Sequence, residues 1–367
     1  MNSKINNFIN GEFITSKSDL ITVWSPQDGK KLTEVTNSSL KDLDQAINAA
    51  KNAYKSWSEF TLKERVEFFF EFRNQLKNNI DSLSDSICQE NGKTFEEAKA
   101  EVLKGIELTE FACSMPQIIH DEIQEVSRGV ECRSSHVPVG IVSSITPFNF
   151  PIMVPMWTIP NALVLGNCMI LKPSEQTPVG ASKIAELLKI SGLPNGVFNV
   201  INGDKKIVEE ICDHKDISAI SFVGSTKIAK TIYQKSTSNL KRCLALGGAK
   251  NHLIVLPDAN SEMASNDIVA SMSGCAGQRC MAASAMIGVG KIEETINKIK
   301  NKAKNVIPGK NLGSVISKEA KQRIEKFIDE AEKEGAKIIL DGRDVKVSGK
   351  ENGYYVGPTI IDYVTPE

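Results

Sequence analysis

The stretch Ile217-Ser218-Ala219-Ile220-Ser221-Phe222-Val223-Gly224-Ser225-Thr226 decides the fold class of this chain. Its apolar residues predict a buried strand from Ile217 to Val223, and Gly224 permits a tight turn directly after it. Ser225 and Thr226 then begin a predicted helix. A strand that passes through a glycine turn into a helix is the repeating unit of a parallel α/β sheet.

The same alternation extends on both sides of this stretch. Further strands and helices are predicted, in chain order, at Gly140 to Ile145, Cys168 to Leu171, Pro178 to Ile190, Val197 to Ile201 and Lys206 to Cys212. A second α/β run begins with a strand at Leu253 to Leu256. This order predicts a doubly wound parallel sheet, followed by a second α/β domain.

Four amphipathic helices precede that sheet, and we expect them to cover it. The first begins near Ser39 with Asp42 as its capping partner, and the second begins at Thr61, where Glu64 completes a capping box. The other two helices, and a hairpin ahead of all four, are predicted at Ile80 to Asn91, Thr94 to Phe111, and Phe8 to Thr22 around Asn10-Gly11.

The length of 367 residues exceeds the usual size of one hydrophobic core, so we expect two domains. The first is assigned to residues 1–125 and 143–245, and the second to residues 246–367. Between residues 126 and 142 the pattern alternates, which predicts a hairpin arm.

The composition excludes several classes of partner. A net charge of -1, with 41% apolar and 24% charged residues, is typical of a globular protein without a nucleic-acid or anionic-membrane partner. Prolines at 155 and 160 interrupt the long apolar stretch from Ile152 to Leu171, so no membrane span is predicted. The N-terminal residues lack the apolar core of a signal peptide.

The cysteines and histidines give no sign of a metal site. The eight cysteines are scattered without a CxxC pair, and none of the four histidines has zinc-site spacing to a cysteine. The spacing therefore predicts no bound metal. We expect the cysteines to be reduced, which indicates a cytoplasmic protein.

One cysteine stands in a setting that favours chemistry. In Gly274-Cys275-Ala276-Gly277-Gln278-Arg279-Cys280-Met281-Ala282-Ala283, small residues would let a substrate approach Cys280 closely. The positive charge of Arg279 favours the thiolate, which is the nucleophilic form. The alternative is that Cys280 is a small buried apolar residue, which is the commoner role of a lone cysteine.

Three further motifs have both a functional and an ordinary interpretation. No GxGxxG motif occurs, so a nucleotide site would need another phosphate-binding element. Ser225 stands at a predicted helix start, where it either contacts a pyrophosphate or is a simple N-cap residue. Lys172 and Glu175, after another strand, suit ribose hydroxyls or form a turn that Pro173 stops. Asn149 lies in the segment Thr146-Pro147-Phe148-Asn149-Phe150-Pro151. It is either an ordinary loop residue or, together with the Cys280 N–H, a hydrogen-bond donor to the oxyanion of a reaction intermediate.

The order of these motifs resembles a known family along the whole chain. PFNFP, KPSE, FVGST, LGGAKN and GQRC follow one another as in the aldehyde dehydrogenase superfamily. The segments ITPFNFP, AKNH and GQRCMA further resemble the CoA-acylating methylmalonate/malonate-semialdehyde dehydrogenases. The resemblance implies that the first domain binds NAD, that the arm at 126–142 serves oligomerisation, and that residues 246–367 form an incomplete catalytic domain.

The resemblance also implies roles for single residues. Cys280 would be the nucleophile, Asn149 the oxyanion donor and Arg279 a fork for a substrate carboxylate. Lys104 stands where the family usually has a second carboxylate-binding arginine, so substrate preference would differ. The residues assigned to NAD are Thr146, Phe148, Lys172, Glu175, Gly224 and Ser225.

A departure from ordinary aldehyde dehydrogenases indicates how the reaction ends. Their glutamate, which activates the hydrolytic water, would fall on Ala245 or on Leu246, and neither is a carboxylate. Without that base, attack by water is slow, and the thiol of coenzyme A can take over. The predicted reaction therefore converts methylmalonate or malonate semialdehyde, with NAD and coenzyme A, to propionyl- or acetyl-CoA and CO2.

Two alternatives to this reaction stay open, and the C-terminus supports the second of them. The chain stops at Tyr363-Val364-Thr365-Pro366-Glu367, where the resembling family continues, so we expect a C-terminal truncation. One alternative is a hydrolytic NAD(P)-dependent enzyme for another semialdehyde; the other is a truncated, non-catalytic chain. The full-length chain is expected to form a dimer or tetramer and to act on a small-molecule semialdehyde.

Overall fold

The computed structural model describes residues 4–365. The strands are β1 (Lys4–Ile5), β2 (Asn7–Ile9), β3 (Glu12–Ile14), β4 (Leu20–Trp24), β5 (Lys31–Thr36), β6 (Glu122–Ser127), β7 (Val130–Ser134), β8 (Ile141–Ile145), β9 (Cys168–Lys172), β10 (Phe198–Val200), β11 (Ile217–Val223), β12 (Arg242–Leu246), β13 (Asn251–Val255), β14 (Ala283–Gly288), β15 (Lys337–Leu340) and β16 (Ile360–Asp362). The helices are α1 (Leu40–Trp57), α2 (Leu62–Asn78), α3 (Ile80–Asn91), α4 (Phe95–Cys113), α5 (Met115–Ile118), α6 (Met153–Val164), α7 (Val179–Ile190), α8 (Lys205–Asp213), α9 (Thr226–Ser238), α10 (Ser261–Ser273), α11 (Glu293–Ala303) and α12 (Lys318–Lys333).

The central sheet confirms the predicted α/β architecture. Its strand order is β12-β11-β8-β9-β10-β2-β3, and the strands from β12 to β10 pair in parallel. Every residue of β8 and β9 is buried, as expected for parallel strands that helices cover on both faces. In the register, Ile145 lies opposite both Phe222 and Lys172, so the carboxyl ends of β8, β9 and β11 share one edge.

The N-terminal hairpin is shorter than predicted. It turns on Asn10 (φ 53) and Gly11 (φ 81), the left-handed pair typical of a two-residue hairpin loop. The prediction ran to Thr22, but β3 ends at Ile14, and β4 belongs to a separate sheet of order β1-β5-β4. The chain leaves the hairpin because the serine hydroxyls of residues 16 and 18 both bind the Asp42 carboxylate.

The predicted capping boxes are present. In α1, Asp42 Oδ2 accepts the N–H of Ser39 at 2.7 Å. In α2, Glu64 Oε2 accepts the N–H of Thr61 at 2.7 Å. Each box satisfies donors that a helix start would otherwise leave without partners.

The chain divides into two compact units. The first contains residues up to 22, 33–84 and 99–247, and the second contains residues 23–32, 85–98 and those from 248 onward. The segments 23–32 and 85–98, which lie inside the predicted NAD-binding range, therefore pack with the second unit. The division of functions between the two domains stays a prediction.

The second unit has its own core. β13 and β14 pair in parallel, and β15 pairs antiparallel with β16. The buried residues of this core are Val255, Ile268, Val269, Ile292, Ile299 and Ala303. The spacing of Ile292, Ile299 and Ala303 matches the apolar face of a helix, which explains why α11 packs there.

The hairpin arm begins and ends earlier than the predicted range of 126–142, because residues 141 and 142 already belong to β8. β6 and β7 pair antiparallel over Glu122 to Ser134, and both strands are exposed along their whole length. The alternation marked only the second half of this arm, because its first strand is mostly polar. Its role in oligomerisation stays a prediction. Among residues 4–365, none of the helices combines the length and apolar character needed to cross a bilayer.

Candidate active site

The segment before Cys280 is a strained turn. A single 3-10 turn covers Gly274–Gly277, and both Cys275 (φ 53) and Ala276 (φ 52) adopt left-handed conformations. Such a conformation costs a non-glycine residue about 1–2 kcal/mol, so surrounding contacts must hold it. Cys280 itself, four residues after Ala276, is exposed, as a nucleophile must be to meet a substrate. We refer to residues 274–280 as the cysteine turn.

Arg279 contacts the other cysteine of the turn. Its Nε lies 3.2 Å from Cys275 Sγ, and its Nη2 lies 3.4 Å from Glu97 Oε1. Burial opposes the charge of Arg279, yet its pKa lies above the ordinary value because Cys275 accepts its hydrogen bond and Glu97 is nearby. The predicted role of this guanidinium towards a substrate stays a prediction.

Cys275 differs from Cys280 in its environment. Cys275 is buried, and burial raises the pKa of its thiol despite the opposing positive charges of Lys93 and Arg279. A buried neutral thiol is a poor nucleophile at neutral pH. Of the two cysteines in the turn, Cys280 is therefore the better candidate.

Two polar side chains hold the turn, Asn251 from β13 and Gln278 from the turn itself. Asn251 Nδ2 donates to the carbonyl oxygen of Cys280 at 2.7 Å and to that of Ala282 at 3.0 Å. Gln278 Nε2 donates to the Cys275 carbonyl at 3.1 Å, and Gln278 Oε1 accepts the N–H of Ile316 at 3.0 Å. Asn251 had no predicted role, although it lies in the AKNH segment on which the resemblance rests.

An apolar cavity of about 660 Å³ lies in the second unit, but Cys280 does not line it. Its walls include Ala276, Gly277, Ala282, Met286, Ile299 and Val356. Because Cys280 is not among the residues that line the cavity, we do not assign the substrate to it.

Asn149 lies in a loop that a buried carboxylate braces. Glu101 Oε1 accepts the N–H groups of Ile152 at 2.8 Å and Met153 at 3.1 Å, where α6 begins. Glu101 is 2% exposed, and its negative charge suits the positive end of the helix. This support for the Asn149 loop was missed, because Glu101 resembles any other acidic residue of an amphipathic helix.

The predicted nucleotide residues meet at the sheet edge. Lys172, at the end of β9, is buried and its Nζ lies 3.0 Å from Glu175 Oε2. The N–H of Thr146 donates to the Lys172 carbonyl at 3.1 Å, while Thr146 Oγ1 is buried without a hydrogen-bond partner. Buried polar atoms without partners are uncommon, and the Thr146 hydroxyl keeps its hydrogen-bonding capacity for a ligand group.

The start of α9 is open to solvent. Ser225 is its N-cap residue by conformation, but the Ser225 side chain forms no capping hydrogen bond, and the residue is exposed. Gly224 precedes it, and the Gly224 N–H donates to the Leu246 carbonyl at 3.1 Å. The N-cap interpretation is therefore confirmed for the position of Ser225 but not for its hydroxyl, and the role of this helix start towards a pyrophosphate stays a prediction.

Lys104 lies on α4 and is exposed, with its ammonium paired to Glu107. Phe148 and Asn149 lie half-buried after β8. Two of these residues belong to the second unit, Arg279 and Cys280, whereas the first unit contains Asn149, Lys172, Ser225 and Lys104.

Within residues 4–365, no three His, Cys, Asp or Glu side chains cluster so as to hold a metal ion.

The sheet, the cysteine turn and the sheet-edge residues together describe an enzyme of the aldehyde dehydrogenase class. The sequence profile of the aldehyde dehydrogenase family matches residues 13–367, and this chain belongs to that family. One relative is the mouse protein named methylmalonate-semialdehyde/malonate-semialdehyde dehydrogenase [acylating], mitochondrial. The two sequences are 40% identical over a region that covers 98% of this chain and 69% of the mouse protein.

Solved structures agree with this assignment. Methylmalonate-semialdehyde dehydrogenase (DddC) from Oceanimonas doudoroffii matches with a TM-score of 0.98 and 40% identity, over 100% of this chain and 77% of that one. The NAD+ complex of aldehyde dehydrogenase from Bacillus cereus matches with a TM-score of 0.94 and 30% identity, over 99% and 76% of the two chains. The predicted fold and family are confirmed.

Proposed function

We propose that this chain oxidises methylmalonate or malonate semialdehyde with NAD and transfers the product to coenzyme A with loss of CO2. The observation that carries the proposal is the exposed Cys280 combined with a β12 strand, Arg242–Leu246, that has no carboxylate. Ala245 and Leu246, the two positions for a hydrolytic base, are both apolar. The acylating activity in the name of the mouse relative supports the same conclusion.

The proposed reaction begins with a covalent step. The Cys280 thiolate adds to the aldehyde carbon, and the Asn149 amide with the Cys280 N–H stabilises the oxyanion. Bound NAD would supply the hydride acceptor, and loss of the hydride from the former aldehyde carbon would leave a thioester on Cys280. The β-carboxylate then leaves as CO2, because its electron pair delocalises into the thioester carbonyl, and a proton replaces it. The thiol of coenzyme A finally attacks the thioester and releases Cys280.

The residues at the sheet edge fit a dinucleotide. The orphan Thr146 Oγ1 and the buried Lys172, paired with Glu175, offer donors and acceptors for ribose hydroxyls. The start of α9, where the Ser225 side chain forms no capping hydrogen bond, offers a positive helix end for the pyrophosphate. Glu175 would also repel the 2′-phosphate of NADP, so we propose NAD as the preferred cofactor.

Arg279 is proposed to hold the substrate carboxylate. Its guanidinium is half-buried. Nε donates a hydrogen bond to Cys275 Sγ, and Nη2 donates one to Glu97 Oε1, so the orientation of the group is fixed. A planar guanidinium can bind a carboxylate through two parallel hydrogen bonds, which orients the β-carboxylate relative to Cys280. Lys104 would contribute a second, less directional charge.

The test is NADH formation by the 367-residue chain from malonate semialdehyde, with and without coenzyme A. We expect turnover only with coenzyme A and an acetyl-CoA product detected by mass spectrometry. Equal turnover without coenzyme A would contradict the acylating proposal and favour hydrolysis. A folded chain that forms no NADH in either assay would contradict the enzymatic proposal itself. Cys280→Ala is expected to abolish turnover while NAD binding persists.

A further inference from the structure

Glu97, on the first turn of α4, uses both oxygens of its carboxylate. Its Oε2 accepts the N–H of Thr94 at 3.2 Å and the Thr94 hydroxyl at 3.0 Å, which closes the capping box of α4. Its Oε1 accepts the N–H of Cys275 at 2.6 Å and the Arg279 Nη2 at 3.4 Å. One side chain therefore caps a helix and contacts the turn that precedes Cys280.

The contacts of Oε1 are not required by the helix. In α1 and α2, a single carboxylate oxygen of Asp42 or Glu64 accepts both the N–H and the hydroxyl of the N-cap residue. Oε2 of Glu97 does the same for Thr94. The other oxygen of Glu97 is therefore committed entirely to the cysteine turn.

The cysteine turn needs such an anchor. Two successive non-glycine residues, Cys275 and Ala276, are left-handed, and this conformation persists only when neighbours determine it. A hydrogen bond from a backbone N–H to a carboxylate is stronger than one to a neutral acceptor. Because Arg279 directly precedes Cys280, a carboxylate that holds both Cys275 and Arg279 restrains the residue that carries the nucleophile.

We propose that Glu97 is a positioning residue for Cys280 and Arg279. It performs no chemistry itself; it fixes the backbone at Cys275 and orients the Arg279 guanidinium. The inference rests on the proposed function only for the roles of Cys280 as nucleophile and Arg279 as carboxylate ligand.

The test compares two variants that lose the same capping box. Thr94→Ala and Glu97→Ala both weaken the start of α4, so both should lower the denaturation midpoint, but only Glu97→Ala removes the anchor of the turn. We expect iodoacetamide to label Cys275, which is buried in the parent protein, about 10- to 100-fold faster in Glu97→Ala. Thr94→Ala should leave this rate unchanged. Peptide mass spectrometry separates Cys275 from the other cysteines.

Kinetics provide the second readout. In Glu97→Ala, kcat/KM for malonate semialdehyde should fall about 100-fold, because a small displacement of the nucleophile is costly. The loss on propanal should be about tenfold smaller, since that substrate has no carboxylate for Arg279 to orient. Glu97→Asp keeps the negative charge, and an aspartate can close a capping box, as Asp42 does in α1. Because its side chain is one methylene shorter, we expect iodoacetamide to label Cys275 in this variant at an intermediate rate.

Two results would overturn the inference. The first is equal labelling of Cys275 in the parent protein, Glu97→Asp and Glu97→Ala. The second is an identical loss of kcat/KM on both aldehydes, which a purely structural role predicts. The labelling experiment needs no turnover, so an inactive parent chain would contradict the proposed function without affecting this test.

Discussion

The side-chain amide of Asn251 donates a 2.7 Å hydrogen bond to the carbonyl oxygen of Cys280. Asn251 begins β13, and the same amide reaches Ala282 immediately before β14. The candidate nucleophile is thus tied to the sheet of the second unit through its own backbone. The bond places Asn251 in support of the site rather than in the chemistry.

Replacing Asn251 with alanine should therefore lower kcat. Both carbonyls lose their donor, the backbone at Cys280 gains freedom, and we expect a loss of about tenfold, equivalent to one neutral hydrogen bond. The rate of NADH formation with saturating substrates and coenzyme A measures the effect.

Asn239→Ala is the matched control for that variant. Asn239 also donates to two backbone carbonyls, those of Cys212 and Lys235, but it belongs to the first unit, whereas the cysteine turn belongs to the second. It should lose stability without losing kcat. Equal kcat values for the Asn251→Ala variant and the parent protein would show that the Cys280 carbonyl needs no such restraint.

Gly274→Ala should displace Arg279. A Cβ at position 274 would lie 2.3 Å from Arg279 Cζ and Nη1, a distance that van der Waals repulsion forbids. We expect KM for malonate semialdehyde to rise about tenfold or more, because a charged hydrogen bond to the carboxylate is lost. KM for propanal should change less.

Gly105→Ala serves as the control for the added methyl group. This position is in α4, where the new Cβ would meet side-chain carbons of Met156 and Ile152 at 3.4 and 3.5 Å. Alanine is favoured over glycine within a helix, so neither KM should change. An unchanged KM in Gly274→Ala would exclude Arg279 as the carboxylate ligand.

Lys104→Arg tests whether the positive charge at this position binds the substrate carboxylate. Arginine provides a planar fork where lysine provides a single ammonium group, so KM for malonate semialdehyde should fall by about two- to tenfold. Lys41→Arg, an exposed substitution on α1, is the control. If both variants behave like the parent protein, Lys104 has no part in substrate binding.

Stability should decrease in alkaline solution, in part because of Cys168. Burial in β9 raises the pKa of Cys168 from 9.0 to about 12, so the folded state keeps a proton that the unfolded state releases. This contribution to the free energy of unfolding is complete below pH 9 and is lost at about 1.4 kcal/mol per pH unit between 9 and 12.

Urea denaturation of Cys168→Ala between pH 8 and 11 measures this effect. The variant is less stable at pH 8 because of the cavity, but its stability should decrease less steeply as the pH rises. Cys132→Ala, at an exposed position, should keep the slope of the parent protein. Parallel slopes for all three proteins would contradict the assignment to Cys168.

Much of the first unit was predictable from local sequence. The strand-glycine-helix pattern at Ile217 to Thr226 led to the parallel sheet, and the Ser39 and Thr61 boxes marked two helix starts. These features depend on residues within one or two turns of each other, where spacing reflects geometry directly. The hairpin ending was wrong because Asp42, more than twenty residues away, binds the serines that follow β3.

The sequence by itself determined the α/β class, the family and the choice of Cys280 as the candidate nucleophile, because backbone periodicity and short motifs are local properties. The tertiary structure alone decided which residues support that cysteine. Glu97 is 178 positions from Cys275, and Asn251 is 29 from Cys280, yet each forms a short hydrogen bond to the cysteine turn. Such contacts depend on how separate elements pack, and no spacing along the chain records that packing.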